Sequence, residues 1–317
     1  EGFISYKYND FALGIGCYVP YSSGVLEFND LPYPIPEIGL ASFDIEATMG
    51  FYALGLSLAY QVMPSVSVGI TGEAIYGISE MENKIRIPGS GLLNATDMHY
   101  RGWSGVRGSV GVMIKPSDDF SIGLQYKAKT SLEMNGTYYN FDALRSSITY
   151  DNDAEFKEKL PNELFAGIGY HVNPDLLLSL DLGYSWWSDA DDKSFTYTDS
   201  AGSSVTVDVT RKEKDSYSVA AGFEYQADDR LKLRGGVFYH SPCADDENVW
   251  FTNEMDVAVI SLRGGVGYNI LPRLELGLSF AYSDATFDQA ENATGKYGQD
   301  AWTVAIGIRF ATPPGGK

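Results

Sequence analysis

The residues able to do chemistry are scattered along this chain. Its three histidines, His99, His171 and His240, share no metal-ligand spacing. No nucleophile-elbow motif is present, and spacing alone places no Ser/His pair together. The acidic runs at Asp189–Asp192 and Asp245–Glu247 suit solvated loops, or divalent cations at a lipopolysaccharide surface. Cys17 and Cys243 define no disulfide framework, although one bridge is open to them in an oxidising compartment. The reading is therefore of a protein without catalytic residues, without a metal and without a cofactor. The charges that do show a pattern are Glu73, Arg107, Lys127, Asp181, Lys214, Glu224, Lys232, Arg234, Arg263 and Glu275, with Lys7 and Arg309 near the ends. Nearly all fall at alternate positions of apolar stretches.

Strands place them there. In Leu160–Asp189, Leu164, Ala166, Ile168 and Tyr170 alternate with Phe165, Gly167, Gly169 and His171. After a turn at Asn173–Asp175, Leu176, Leu178, Leu180, Leu182, Tyr184 and Trp186 do the same. Side chains two apart share a face. One face is thus an apolar ladder ending in aromatics, and the other is small and polar with Phe165, Leu177 and Trp187 among it. The pattern recurs from Thr48, Val66, Val106, Phe120, Tyr217, Leu231, Ala258, Leu274 and Trp302. Short turns at Met63–Ser65, Lys115–Asp119, Ala227–Arg230 and Asn269–Arg273 alternate with long loops, at about 83–103, 140–161, 190–213, 242–256 and 283–300. Pro20 and Gly24 interrupt the strand that starts at Phe11.

Strands of about ten residues, asymmetric connections and aromatic girdles mark an all-β chain: a transmembrane antiparallel outer-membrane β-barrel over residues 1–311, with a disordered tail at 312–317. An Arg or Lys facing lipid costs about 2–4 kcal/mol at the midplane, so the charges must point inward and pair there. No run of about twenty apolar residues exists to form a membrane helix. A net charge of -19 argues against nucleic acid as a partner. About thirteen strands are countable where a barrel of this type has an even number, so a first strand upstream of Glu1 is expected to be missing.

The run Trp103–Asn140 resembles the central hairpin of the FadL/TodX family of outer-membrane long-chain fatty acid and hydrocarbon transporters. Leu160-Pro161 with Trp186-Trp187-Ser188, Lys214-Asp215-Ser216-Tyr217, His240-Ser241-Pro242 and the last strand ending in Phe310 are similar to further family segments in the same order. The resemblance implies a barrel of about fourteen strands, with the family's hatch and first strand absent here. It implies a monomer in the bacterial outer membrane, in contact with membrane lipid and lipopolysaccharide. The implied function is passive transport of long-chain fatty acids or other hydrophobic molecules. A docking protein for secreted partners and a general porin are the alternatives. The implied ligand site has Lys214 as the best positional match for a carboxylate-binding cation, with Lys84 and Arg86 near another. Arg234, Phe165 and Phe238 are its inward neighbours. Pro20, Ser22 and Gly24 match the kinked strand beside a lateral opening into the membrane.

Overall fold

The computed structural model describes residues 1–35, 39–190, 192–210, 212–245, 257–285, 290–292, 295–297 and 300–310. The expected tail and most of the acidic loop before Val257 lie outside them. Strand β1 (Gly2–Tyr8) turns at Asn9, with φ at 50°, into β2 (Phe11–Ile35). Three more long strands follow: β3 (Gly39–Met63), β4 (Val66–Ile87) and β5 (Gly91–Ile114). Next, β6 (Phe120–Lys127) runs on as β7 (Thr130–Asp142), and β8 (Ser147–Leu160) runs on as β9 (Glu163–Asn173). After β10 (Leu176–Ser185), a single 3-10 turn at Trp187–Asp189 leads to β11 (Asp192–Thr198). The remainder is β12 (Ser204–Thr210), β13 (Ser216–Gln226), β14 (Leu231–His240), β15 (Val259–Leu271), β16 (Leu274–Asp284), the short pair β17 (Ala290–Asn292) and β18 (Gly295–Tyr297), and β19 (Asp300–Phe310).

One antiparallel ladder of thirteen strands forms the wall, in the order β1, β2, β3, β4, β5, β6, β9, β10, β13, β14, β15, β16, β19. Alternation decides its two faces. On β3, Tyr52, Leu54, Leu56, Leu58 and Tyr60 are exposed, while Phe51 and Ala53 between them are buried. Such an outward apolar belt is unfavourable in water and is what lipid requires. The inward positions are mostly Gly, Ser, Ala and Thr, as in the row Gly14, Ser57, Thr71, Ser109. Small side chains hold the lumen open.

The outer connections differ from the expected long loops. Residues 83–103 are the ends of β4 and β5 around a short turn at 88–90, and β2 and β3 run far beyond a membrane-spanning length of about ten residues. Pro20 does not end β2. The ladder with β3 continues, with register shifts between Tyr18 and Tyr21 and between Ser22 and Gly24. Residues 140–161 and 190–213 hold the β7–β8 and β11–β12 hairpins. Outside lipid the outward positions become polar, as with Glu80, Glu82, Lys84 and Arg86 on β4, so the apolar ladder that marks a strand fades. Cys17 and Cys243 are free thiols, so the bridge left open above does not form.

The extensions fold over the mouth. Residues 101–108 of β5 have no ladder partner on β6 or β7, because β7 leaves the wall and crosses its inner side. Glycines permit this approach. A Cβ on Gly105 would sit 2.8 Å from the Ser131 carbonyl oxygen, and one on Gly77 would collide with the Met134 sulfur. The result is an apolar core above the lumen, built from Met49, Phe51, Ile75, Met98, Tyr100, Leu132, Met134, Tyr138, Phe156 and Leu160. A second, smaller core joins Phe43 and Ile45 at the outer end of β3 to Val257 and Ala285.

Candidate functional site

The conduit has three levels. Uppermost is the methionine–aromatic cap. Tyr138 stacks on Tyr197 with ring centroids 4.0 Å apart, Tyr100 packs on Phe156 at 5.5 Å, and Tyr21 bridges Phe51 and Trp187 at 6.1 Å each. Thioethers and rings fill irregular space and repack readily. Lys193 lies over Phe156 at 5.3 Å and pairs with Glu158 at 3.3 Å, so the charges within this layer are matched.

The second level is the joint where β6 gives way to β7 and β8 to β9. Arg107 is buried and donates from Nε to the Ala128 carbonyl (2.8 Å) and from Nη2 to the Pro161 carbonyl (2.7 Å). The same Nη2 lies 2.8 Å from Glu163. Asn162 accepts on Oδ1 from the Tyr126 hydroxyl (2.7 Å) and the Lys129 N–H (2.8 Å). These side chains replace the ladder bonds lost at the break.

The third level is the lumen. A cavity of about 560 Å³ is lined by Ser57, Thr71, Ser109, Gly123, Phe165 and Asp181 among others. A second cavity of about 460 Å³ shares Ser57, Thr71 and Gln125 with it and reaches Tyr18, Glu73 and Lys127.

The six expected ligand residues are spread over this height. Lys84 and Arg86 lie near the outer end of β4, on the sheet face opposite Phe43 and Ile45, and pair with Glu82 and Asp44. Lys214 sits just before β13 at the rim, with Nζ 2.6 Å from Asp245. Arg234 lies toward the short-turn end, where Nε meets Glu224 at 2.7 Å and Nη2 meets Glu275 at 2.9 Å. Gly267 gives the pair room, since a Cβ there would be 2.5 Å from the Glu275 Oε1. Phe165 and Phe238 both face the lumen, under Lys127 and under the Arg263 guanidinium respectively. They stand three ladder steps apart, roughly 14 Å at about 4.8 Å per step. The structure does not gather the four cations around one point, and each already has a carboxylate. The cap itself went unread in the sequence; its signal was the methionines Met49, Met98 and Met134 at inward positions, of which Met98 fell in a stretch read as loop.

Outside the membrane-spanning part, two carboxylates are held below their ordinary range. Asp151 accepts from the Asp153 and Thr198 N–H groups at 2.9 and 2.6 Å. At Asp215, burial acts upward, but bonds from Ser188 and the Tyr184 hydroxyl outweigh it.

An apolar-belted antiparallel barrel with a small-residue lumen under an apolar cap defines a membrane conduit for solutes that prefer oil to water. The chain belongs to the outer membrane protein transport family (OMPP1/FadL/TodX), whose model matches residues 1–311. That family comprises outer-membrane β-barrel transporters of hydrophobic compounds. No curated protein sequence matches the chain. Among solved structures it is similar to the Ralstonia pickettii toluene transporter TbuX, at 18% identity and TM-score 0.69 over 98% of this chain and 80% of that one. It is similar to the Pseudomonas putida toluene transporter TodX, at 14% identity and TM-score 0.74 over 96% and 80%. A Pseudomonas aeruginosa FadL homologue aligns at 15% identity and TM-score 0.69 over 96% and 75%.

Proposed function

We propose that this barrel passes uncharged hydrophobic small molecules through the bacterial outer membrane without an energy source. The observation that carries this is the methionine–aromatic cap lying directly over the lumen. A solute gains about 25 cal/mol for each Å² of apolar surface withdrawn from water there. The pairing of Lys84, Arg86, Lys214 and Arg234 supports a neutral solute, because an anion would have to displace a carboxylate from each. The toluene transporters among its structural relatives point the same way. Release is lateral, beside Pro20, Ser22 and Gly24. Two of the three register shifts between β2 and β3 fall there, and above Cys17 only β3 pairs with β2 among the described residues.

A second reading keeps long-chain fatty acids as the ligand, with Lys214 holding the carboxylate. The solvent-exposed Lys214–Asp245 pair favours it, since exposed pairs contribute little and exchange partners easily. Binding of a fluorescent long-chain fatty acid and of an aromatic hydrocarbon to the detergent-solubilised chain separates the two. Hydrocarbon binding that Lys214→Ala leaves intact supports the first reading. Fatty acid binding that weakens about tenfold in Lys214→Ala and in no other cation variant supports the second.

A further inference from the structure

The cavity of about 460 Å³ at the upper end of the lumen has walls of small and apolar groups, among them Phe3, Gly14, Gly16 and Ser57. Three charged side chains break that character, Glu1 and the two that matter most here, Lys127 and Glu73. Lys127, at the end of β6, projects its ammonium toward rings: 5.6 Å from the Tyr18 centroid and 5.7 Å from that of Phe165. Lys84, Lys193, Lys214 and Lys232 each have a carboxylate partner, whereas Lys127 has none within ion-pair distance among the described residues. Glu73, on the same cavity wall, is buried and accepts from the Tyr18 hydroxyl, and its Oε2 has no hydrogen-bond partner among the described residues. One aromatic ring thus carries a cation against its face and a carboxylate at its hydroxyl.

The chemistry of an occupant follows from what each class of ligand leaves unsatisfied. A hydrocarbon fills the volume but gives Lys127 no acceptor and Glu73 no donor. A carboxylate satisfies Lys127 but lies beside Glu73 and meets its like charge. A hydroxyl accepts from an ammonium and donates to a carboxylate at once. A ring attached to it continues the shelf of Tyr18 and Phe165. We infer that this cavity is a binding site for an uncharged hydroxylated aromatic, a phenol or an aryl alcohol, held between Lys127 and Glu73. The inference rests on the hydrophobic-solute reading above and adds the polar group that the solute carries.

Calorimetry on the full chain in detergent tests it with three probes of one size: a para-alkylphenol, the matching alkylbenzene and the matching alkylbenzoate. The phenol binds about tenfold tighter than the alkylbenzene, as one charge-assisted hydrogen bond implies. Lys127→Met brings the phenol down to the affinity of the alkylbenzene, and Lys127→Arg, which keeps the charge, retains the preference. Equal affinities for phenol and alkylbenzene, or a phenol preference that survives in Lys127→Met, overturns the inference and leaves the hydrophobic-solute reading standing. Tightest binding by the benzoate overturns it in favour of an anion site. Failure of all three probes to bind the folded barrel removes both readings together.

Discussion

Single residues act here through what they satisfy. Arg107 is the clearest case, because its guanidinium caps two carbonyls where strands break and pairs with Glu163 as well. Removing one partner of a buried pair costs about 3–5 kcal/mol, since the other is left charged and dry. Arg107→Met is therefore expected to lower unfolding stability by about that much, read from denaturant titrations of tryptophan fluorescence in detergent. A loss under about 1 kcal/mol would mean the joint holds without its staple. The periplasmic-end network makes a smaller test. Gly267→Ala sets a methyl against the tips of the Glu275 and Arg234 side chains, which can swing aside, so it should cost under about 1 kcal/mol. The sequence showed that these charges face inward, because parity within a strand is visible. It did not show which carboxylate each cation meets. Arg234 and Glu275 lie on strands that are not neighbours, and nothing local records that contact.

At the scale of elements, the β7–β8 hairpin is the part that does not obey the wall. It bends inside β5 because Gly77, Gly105 and Gly136 clear the way, and it buries Leu132 and Met134 almost completely. Met134→Ala should cost about 2–5 kcal/mol and leave a void in the cap. If the cap is the entry barrier, the same variant should admit hydrophobic solute faster, a pairing of lost stability with gained flux that uptake assays can read. The hairpin is pinned at its outer part by Asp151, which ties β8 to the end of β11. Because the folded Asp151 carboxyl lies below its ordinary value, its contribution is complete above that ordinary value, near pH 4. It is lost as pH falls through the depressed value. Amide exchange in β11 and β12, corrected for intrinsic rate, should accelerate below about pH 4, and Asp151→Asn should show the fast rate already at neutral pH. The spanning halves of these strands were legible because lipid enforces one apolar face. Their outer halves were not, because Glu80, Lys84 and their neighbours alternate as any solvated strand or loop does.

As a whole the molecule is an oil-facing cylinder with an acidic, water-facing crown. The lumen's width was half legible: Gly167, Gly169, Ser179, Gly183 and Ser185 share the face opposite the leucines in the hairpin from Leu164 to Trp187, but Phe165, Leu177 and Trp187 share it too. That the crown closes over it depends on contacts between distant strands, such as Phe43 with Val257, which no local pattern announces. Entry of the solute into the upper lumen, on its way to the side opening, is the account's central claim, and obstruction tests it most directly. Gly55 faces inward opposite Gly16 on the wall of the upper cavity, just below the side opening, and a Cβ there meets nothing nearer than 3.6 Å, so Gly55→Trp narrows the lumen at that level. The measurement is initial uptake of a radiolabelled aromatic hydrocarbon by Gram-negative cells that lack such a transporter. Cells expressing the chain should exceed the vector control, and the Gly55→Trp variant, matched for folded protein in the outer membrane, should bring uptake down toward that control. Uptake that stays high with the lumen narrowed, or that never rises above the control, would contradict the account.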